Sequence, residues 1–419
     1  MMNGWKSLSW LVLILILLAS GPGSAMAEKK LTLLTWMAPQ NEPMFRSWIE
    51  EFKKAHPDVV FEWLDKKGTE WAAFYQTQLV AGTPPDIVNV QGDLWVEYAD
   101  KKYALDLTPF LEKEPDVRKR FTPKMLDYWV MDGRVYGLPY YINKSLLYYN
   151  KNLFKKANLS GTPKNFDDLI DYSYKIAGLG KEMSGFLTLN FDWLFWPLFA
   201  MNGVEMFSPD MKKATFNTRE MLAIVKRLTK ATQDGAISKI SWTGRWREPN
   251  SAFASGNVGM YQAHGGAYYN FLGMGKWINK DTVGAAEFPG GWGVFNSHGF
   301  LISKGTKHPD LAWDFLKQIT NDKWALGTAK RIIRTTGNKN ADEQLQDYLA
   351  KEDPVGFDIM KAQSASLDKL TAAWKTPLDA KIKEAFWPDF QSALLGEEDP
   401  QKAINNAERK VNRVLQRGN

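Results

Sequence analysis

The chain has 419 residues, of which 44% are hydrophobic and 24% charged, and this composition is typical of a globular protein long enough for two domains. It contains no cysteine, which excludes disulfide bonds, iron–sulfur clusters, thiolate metal sites and thiol nucleophiles. The formal net charge of +6 comes from scattered basic residues, so we expect neither nucleic acid nor an anionic membrane as a partner.

The first 27 residues have the pattern of a secretory signal peptide. Lys6 precedes an apolar run over residues 10–19, and the small-residue pattern at 25–27 predicts cleavage after about Ala27. The apolar run is too short for a comfortable transmembrane helix. Because no cysteine stands near the cleavage site, we expect a free periplasmic protein without a lipid anchor.

Strands and helices alternate through the first part of the mature chain. Apolar runs predict buried strands over 31–36, 59–63 and 87–90. Helical spacing predicts one helix capped by Asn41 and another over 71–80 capped by Thr69. This alternation is typical of a parallel, doubly wound α/β sheet.

The polar stretch after the third predicted strand is the first candidate site. Gln91, Gly92 and Asp93 directly follow residues 87–90. In open α/β sheets, the loops at the carboxyl ends of strands bind small ligands, so Gln91 and Asp93 are candidate ligand contacts. The alternative is that Asp93 only caps a helix over 93–99 and that Trp95 only fills the core.

A second α/β segment follows the aromatic tract 139–149, which we interpret as a crossing between two lobes because of its polar insertion at 143–145. A strand over 258–262 ends in the loop His264-Gly265-Gly266, much as the earlier strand ends in its polar loop. Two lobes that each offer a strand-end loop predict a ligand cleft between them. Further strands are predicted over 283–288 and 300–303, and helices over 166–176 (capped by Asn165), 219–233, 248–255, 310–320, 341–350, 377–395 and 400–416.

None of the catalytic motifs that we searched for is complete: HExxH, GxSxG, the phosphate-binding loop and the dinucleotide fingerprint are all missing. We therefore expect no enzyme, no cofactor and no metal site. His56 and His308 each precede a proline and are interpreted as structural. His264 and His298 lie in predicted glycine-flanked loops, where a ligand can approach.

Four stretches and the C-terminal region together resemble the family 1 extracellular solute-binding proteins, the substrate-binding components of carbohydrate ABC importers that include the maltose-binding protein. The resemblance implies a two-lobe periplasmic binding protein fold of the α/β class. It implies lobes of 28–142 plus 297–340 and of 143–296 plus 341–419, with hinges near Ile142, Asn296 and Asn340. The stretches are AGTPPDIVNVQGDLWVEYADKKYALDL (81–107), GRVYGLPYYINKSLLYYNKNLFKKANL (133–159), FASGNVGMYQAHG (253–265) and GFLISKGTKHPDLAWDFLKQIT (299–320).

The same resemblance implies a set of cleft residues. The family often has an aromatic residue at the position of Gly266, so we expect Tyr268 or Trp292 to supply that face here. Gln40 and Asn143 stand where the maltose binder has acidic groups, which predicts a ligand other than the same malto-oligosaccharide. The other family cleft positions fall on Asn41, Asp93 and Trp193.

These patterns predict that a monomer captures a neutral mono- or oligosaccharide and passes it to an ABC permease. Two alternatives stay open. A binder of a phosphorylated polyol would use Arg245, Arg247 or Arg334, and a secreted carbohydrate-active enzyme would need two acids facing one bond. The 18 tryptophans suit stacking on sugar rings as well as core packing, and Trp246, Trp374 and Trp387 are not assigned to either role.

Overall fold

The structure is a computed structural model that describes residues 29–36, 38–90, 92–190, 193–244, 246–371 and 374–418. The predicted signal peptide, Gln91 and Arg245 lie outside the described residues. Gln40 lies in a described helix, but its side chain is not described. None of the described helices is both long and apolar enough to cross a membrane.

A mixed sheet extends through both halves of the described chain. Its strands follow the order β2-β1-β3-β10-β6-β8-β7, with β9 beside β6 and β11 beside β10, whereas β4 and β5 form a separate pair. The strands are β1 (Lys29–Trp36), β2 (Val59–Lys66), β3 (Ile87–Val90), β4 (Val130–Met131), β5 (Arg134–Val135), β6 (Leu138–Asn150), β7 (Ser184–Leu187), β8 (Val258–His264), β9 (Val283–Ala286), β10 (Gly293–Ile302) and β11 (Leu370–Thr371).

The expected alternation is confirmed at the first three strands, where β1 pairs in parallel with both β2 and β3. The next strand, β10, pairs antiparallel with β3 and with β6. A purely parallel sheet was therefore the wrong expectation beyond β3. The predicted crossing at 139–149 lies within the single 13-residue strand β6, which passes from one hydrophobic cluster to the other.

Helices cover the sheet in both halves. The predicted helices at 166–176 and 219–233 are confirmed, and the side chain of Asn165 accepts the N–H of Asp168 as its cap. The helices are α1 (Ala38–Ala55), α2 (Gly68–Val80), α3 (Leu94–Asp100), α4 (Thr108–Lys113), α5 (Pro115–Lys119), α6 (Pro123–Asp127), α7 (Lys151–Lys156), α8 (Phe166–Ala177), α9 (Pro197–Ala200), α10 (Arg219–Gln233), α11 (Ile240–Thr243), α12 (Arg247–Ala254), α13 (Ala267–Phe271), α14 (Pro309–Ile319), α15 (Asp322–Ile332), α16 (Lys339–Glu352), α17 (Pro354–Ser364), α18 (Asp379–Leu395) and α19 (Pro400–Gly418).

Two predicted helix caps are wrong. Asn41 lies inside α1, which begins three residues earlier at Ala38. Thr69 lies in the first turn of α2, which begins at Gly68 without a side-chain cap. Both helices start before the polar residue that the sequence pattern favoured as a cap, because the preceding residues already adopt helical backbone angles.

Two large hydrophobic clusters define the lobes. The N-terminal lobe is built on buried residues from 31–142 and 295–319, and the C-terminal lobe on residues from 146–294 and 355–415. The strands β6 and β10 carry the chain from one cluster to the other. The first part of β6, through Lys144, pairs with β10, and the part from Ser145 onward pairs with β8 and β9.

Candidate ligand-binding cleft

A cleft of about 700 Å³ lies where β6 and β10 pass between the two lobes. Its volume falls within the roughly 300–1,000 Å³ of typical small-molecule sites. It is bounded by the ends of β1, β3 and β8, by α1 and α13, and by the chain that follows α15. The lining residues are Trp36, Asn41, Phe45, Asn89, Tyr140, Tyr141, Asn143, Trp246, His264, Gly266, Tyr269, Asn270, Asn296, His298, Arg331, Ile332 and Arg334.

The register of β6 and β10 brings four of these side chains together. Asn143 lies directly opposite Asn296, and Tyr141 lies directly opposite His298. Because residues two apart on a strand point to the same face, both cross-strand pairs face the cleft. Side chains alternate between the two faces of each buried strand, and this alternation produces the arrangement. His298 does not need the loop that the sequence predicted around it.

A row of planar side chains runs along the wall of the cleft. The ring of Trp36 lies 5.2 Å from that of His298, which stacks on Tyr141 at 4.7 Å. The guanidinium of Arg334 lies over the other end of the row, 4.7 Å from the Tyr141 ring. Rings of this kind offer apolar faces with polar edges, which suits ligands with both kinds of surface.

Six lining residues each hold a buried polar atom that has no hydrogen-bond partner within the described part of the chain. Three of these atoms belong to groups that donate, namely the Trp36 indole, the Tyr140 hydroxyl and the Arg334 guanidinium. The carbonyl oxygens of Asn143 and Asn296 can only accept. The sixth atom is Nδ1 of His298. A ligand with both donors and acceptors would satisfy them.

The two histidines of the cleft are held neutral. Burial, reinforced by the positive charge of Arg334, lowers the pKa of His264 to about 3. Burial also lowers the pKa of His298 well below its ordinary value, with Arg334 and His264 adding to the effect. Uncharged imidazole rings can donate and accept hydrogen bonds at neutral pH.

Six sequence-predicted residues line the cleft: Asn41, Asn143, His264, Gly266, His298 and Arg334. The predicted loop around His298 is wrong, because His298 lies within β10. His264 is the last residue of β8, and the predicted loop continues as a turn at Gly265 and Gly266. Gly266 does not make room for a neighbouring aromatic residue. A Cβ atom there would come within 1.9 Å of the Arg334 guanidinium, so the guanidinium occupies that space.

The structure places Asp93 outside this cleft. It lines a neighbouring cavity of about 280 Å³, which shares Asn296 and His298 with the cleft. Its carboxylate accepts a hydrogen bond of 2.5 Å from the Tyr128 hydroxyl, and it makes no capping bond to α3. Trp95 is fully buried, as the alternative interpretation expected.

Three predicted aromatic contacts belong to the hydrophobic core of the C-terminal lobe and are not among the residues that line the cleft. Trp193 is 2% exposed, and its indole N–H donates to Asp379 at 3.0 Å. Tyr268 is buried, and Trp292 packs against the same hydrophobic cluster. The resemblance misplaced them because it located aromatic residues near the cleft along the chain without showing which way the rings point.

Several cleft residues were not predicted, although the sequence carried a signal for some of them. Tyr141 is two residues before Asn143 on the same strand, so alternation from a predicted site residue would have found it. Arg331 lies in α15, a helix that the sequence analysis did not predict. Of the three unassigned tryptophans, Trp246 lines the cleft, whereas Trp374 and Trp387 pack on the C-terminal lobe core.

The sequence matches a family model whose description agrees with the fold and the cleft. Residues 38–326, more than half of the chain, match the family model described as bacterial extracellular solute-binding protein. The chain therefore belongs to the bacterial extracellular solute-binding protein family, whose members bind solutes outside the cytoplasm.

Individual relatives are similar over most of their length. The maltodextrin-binding protein MdxE of Bacillus subtilis is 26% identical over 416 residues, which cover 93% of this chain and 91% of that protein. The sn-glycerol-3-phosphate-binding periplasmic protein UgpB of Salmonella paratyphi A is 26% identical over 322 residues, which cover 71% of this chain and 72% of that protein. Among solved structures, the ABC substrate-binding protein Lmo0181 from Listeria monocytogenes in complex with cycloalternan superposes with a TM-score of 0.77 at 21% identity, covering 93% of this chain and 99% of that one. This last likeness shows the two-lobe fold.

Proposed function

We propose that the protein captures a carbohydrate in the cleft between its lobes and delivers it, chemically unchanged, to the permease of an ABC importer. The six buried polar atoms without partners carry this proposal. Each hydroxyl group of a sugar both donates and accepts, so a sugar can satisfy the Trp36 and Tyr140 donors together with the Asn143 and Asn296 acceptors. The rings of Tyr141 and Trp246 offer faces for its C–H surfaces.

The sequence alone predicted a neutral mono- or oligosaccharide. A cleft of about 700 Å³ with five asparagine side chains in its lining suits such a ligand. The relatives whose names include maltodextrin and cycloalternan support the carbohydrate class. The guanidinium of Arg334 in the lining favours a sugar that carries an acidic group as the second candidate.

The lining also favours binding over catalysis. Glycoside hydrolysis needs two carboxylates that face one bond, and the described residues lining this cleft include neither Asp nor Glu. Among the described residues, no cluster of three or more histidine and acidic side chains is arranged to hold a metal ion. The described lining therefore lacks the pair of acids that a secreted carbohydrate-active enzyme would need.

Delivery requires the lobes to open and close. The proposed lobes are 28–142 plus 297–340 and 143–296 plus 341–419, with hinge movement at the crossings near Ile142, Asn296 and Asn340. Closure occurs only if the ligand contacts the closed form more favourably than the open one. We propose that the mature protein works in the periplasm as a monomer after its signal peptide is removed.

A thermal-shift screen of the mature protein against neutral sugars, acidic sugars, amino acids, polyamines and metal ions tests the ligand class. A ligand at 100 times its Kd stabilises the folded state by about 2.7 kcal/mol, which raises Tm measurably. We expect stabilisation by carbohydrates. Stabilisation by amino acids, metals or polyamines alone would overturn the proposal. Chromatography of the best ligand after incubation with the protein separates binding from turnover.

A further inference from the structure

Arg334 occupies an unusual environment in the cleft. Its guanidinium fills the space left by Gly266 and lies over the ring of Tyr141. Its Nε atom is buried and has no acceptor in the described part of the chain. No ion pair within 4.0 Å joins it to a carboxylate among the described residues, which distinguishes it from Arg46, Arg134 and Arg227.

The cleft around it carries positive charge that its own lining does not neutralise. Arg334 lines the cleft, whereas no described lining residue is acidic. His264 and His298 stay neutral beside Arg334 and add no charge of their own. Holding a cation in a partly buried site is unfavourable unless an anion pairs with it.

We propose that the ligand is an acidic carbohydrate whose carboxylate or phosphate group binds the Arg334 guanidinium beside Gly266. This inference rests on the proposed function, since it assumes that the cleft takes a carbohydrate. Nε and one terminal nitrogen of a guanidinium form a planar fork that matches two oxygens of an oxyanion. The Nε–H that has no partner here is one arm of such a fork.

The rest of the cleft indicates a sugar body attached to that anionic group. An amino acid or a polyamine would bring an ammonium group, and the described lining provides no carboxylate to pair with it. Asn143 and Asn296 instead provide neutral acceptors for hydroxyl groups. The row from Arg334 through Tyr141 and His298 to Trp36 gives the sugar ring a continuous wall.

Isothermal titration calorimetry with matched ligand pairs tests the proposal. The carboxylate arm compares glucuronate with glucose and galacturonate with galactose, as monomers and short oligomers. The phosphate arm compares glucose 6-phosphate with glucose and glycerol 3-phosphate with glycerol. We expect the acidic member of at least one pair to bind about 100-fold more tightly, as for two charge-assisted hydrogen bonds, and the responding arm identifies the anion.

The variant Arg334→Gln should abolish this preference, because it removes the charged contact that only the acidic member makes, so the acidic and neutral members of each pair should bind it with affinities within about threefold of each other. The control Arg118→Gln removes the same charge from an exposed site in α5 and should leave the preference unchanged. Thermal melts of both variants confirm that they fold.

Three results would decide against the acidic ligand. Equal or tighter binding of the neutral members overturns the inference while leaving carbohydrate binding intact. An equal loss of neutral and acidic sugars in Arg334→Gln would show that Arg334 binds hydroxyl groups, which also overturns it. No binding of any sugar in either arm overturns the proposed function together with the inference.

Discussion

The cleft and the cluster around Trp193 are both rich in aromatic side chains, but their polar atoms differ. In the cluster, the Trp193 ring packs against Trp374 at 4.9 Å and Phe386 at 5.4 Å, and its N–H is paired with Asp379. In the cleft, the Trp36 ring packs against His298 at 5.2 Å, but its buried N–H has no partner among the described residues. Aromatic content therefore does not separate a binding surface from a core. An unpaired N–H alone does not either, because the buried Trp95 also has one among the described residues, but six unpaired polar atoms lie together around the cleft.

The largest effect should come from Trp193→Ala. Because Trp193 is 2% exposed and contacts several rings, its loss should lower the free energy of unfolding by about 3–5 kcal/mol through the cavity that remains. Urea denaturation of the apo protein measures this loss. The family resemblance placed Trp193 among the cleft residues, where its loss would affect the fold little, but the ring is buried in the core.

The matched variant is Trp246→Ala, because Trp246 lines the cleft and is only partly buried. It should weaken ligand binding and change apo stability much less than Trp193→Ala. If Trp193→Ala melted like the parent and lost the ligand, the roles assigned to the two tryptophans would be reversed.

A second test addresses the contact between Gly266 and Arg334. A methyl group at Gly266 overlaps the guanidinium, which must move aside, so Gly266→Ala should weaken ligand binding by about 10- to 100-fold, as for one or two charge-assisted hydrogen bonds. Stability should change little, because the end of a flexible side chain can shift. Gly273→Ala is the control, since its Cβ would contact nothing within 4 Å. If calorimetry gave equal affinities for the two variants, Arg334 would not be a ligand contact.

Local patterns in the sequence predicted much of the fold. The strand Ile87–Val90 and the helix Arg219–Gln233 have the expected bounds, because each is a clear periodic run with distinct ends. The antiparallel placement of β10 between β3 and β6 is set by contacts between distant parts of the chain, and no local pattern contains that information.

The site was predictable only in part for the same reason. Asn143 and His298 were identified individually, but the register that places them in the same cleft comes from strand pairing. The partnership of Gly266 with Arg334 joins residues 68 positions apart, and neither residue's neighbours in sequence indicate the other. Trp193 was misassigned because only the folded core shows that its ring points inward.

A third prediction separates stability from binding at Asn143. This residue is 6% exposed, and its carbonyl oxygen lacks a partner in the described chain. An unsatisfied buried polar group costs about 1–3 kcal/mol, so Asn143→Leu, which has the same branched side-chain shape, should stabilise the apo protein by about 1 kcal/mol. Ligand affinity should fall, because an acceptor for the ligand is removed. Destabilisation with unchanged affinity would show that Asn143 is an ordinary structural amide.

The last prediction concerns Asp342, a partly buried carboxyl group whose hydrogen-bond partners lie in the segment that follows Arg334. Its carboxyl group accepts hydrogen bonds from the backbone N–H and hydroxyl of Thr336, at 2.8 and 3.0 Å, and from the N–H of Gly337 at 3.0 Å. These bonds fix the segment that joins Arg334 to α16. Burial nevertheless raises the pKa of Asp342 to about 7, against an ordinary value of 3.8.

Because the folded state holds this proton more tightly than the unfolded state, the contribution of Asp342 to stability is full below about pH 4 and is lost as the pH rises through about 7. Asp342→Asn cannot titrate, so the parent should lose stability relative to this variant between pH 5 and pH 8. Urea denaturation of both proteins across that range measures the difference, in which the titration of all other groups cancels. Parallel stability profiles would mean that the three hydrogen bonds keep Asp342 ionised in both states. The carboxyl group would then need no further partner, as for the paired N–H of Trp193, whereas the unpaired polar atoms that line the cleft would still lack partners without a ligand.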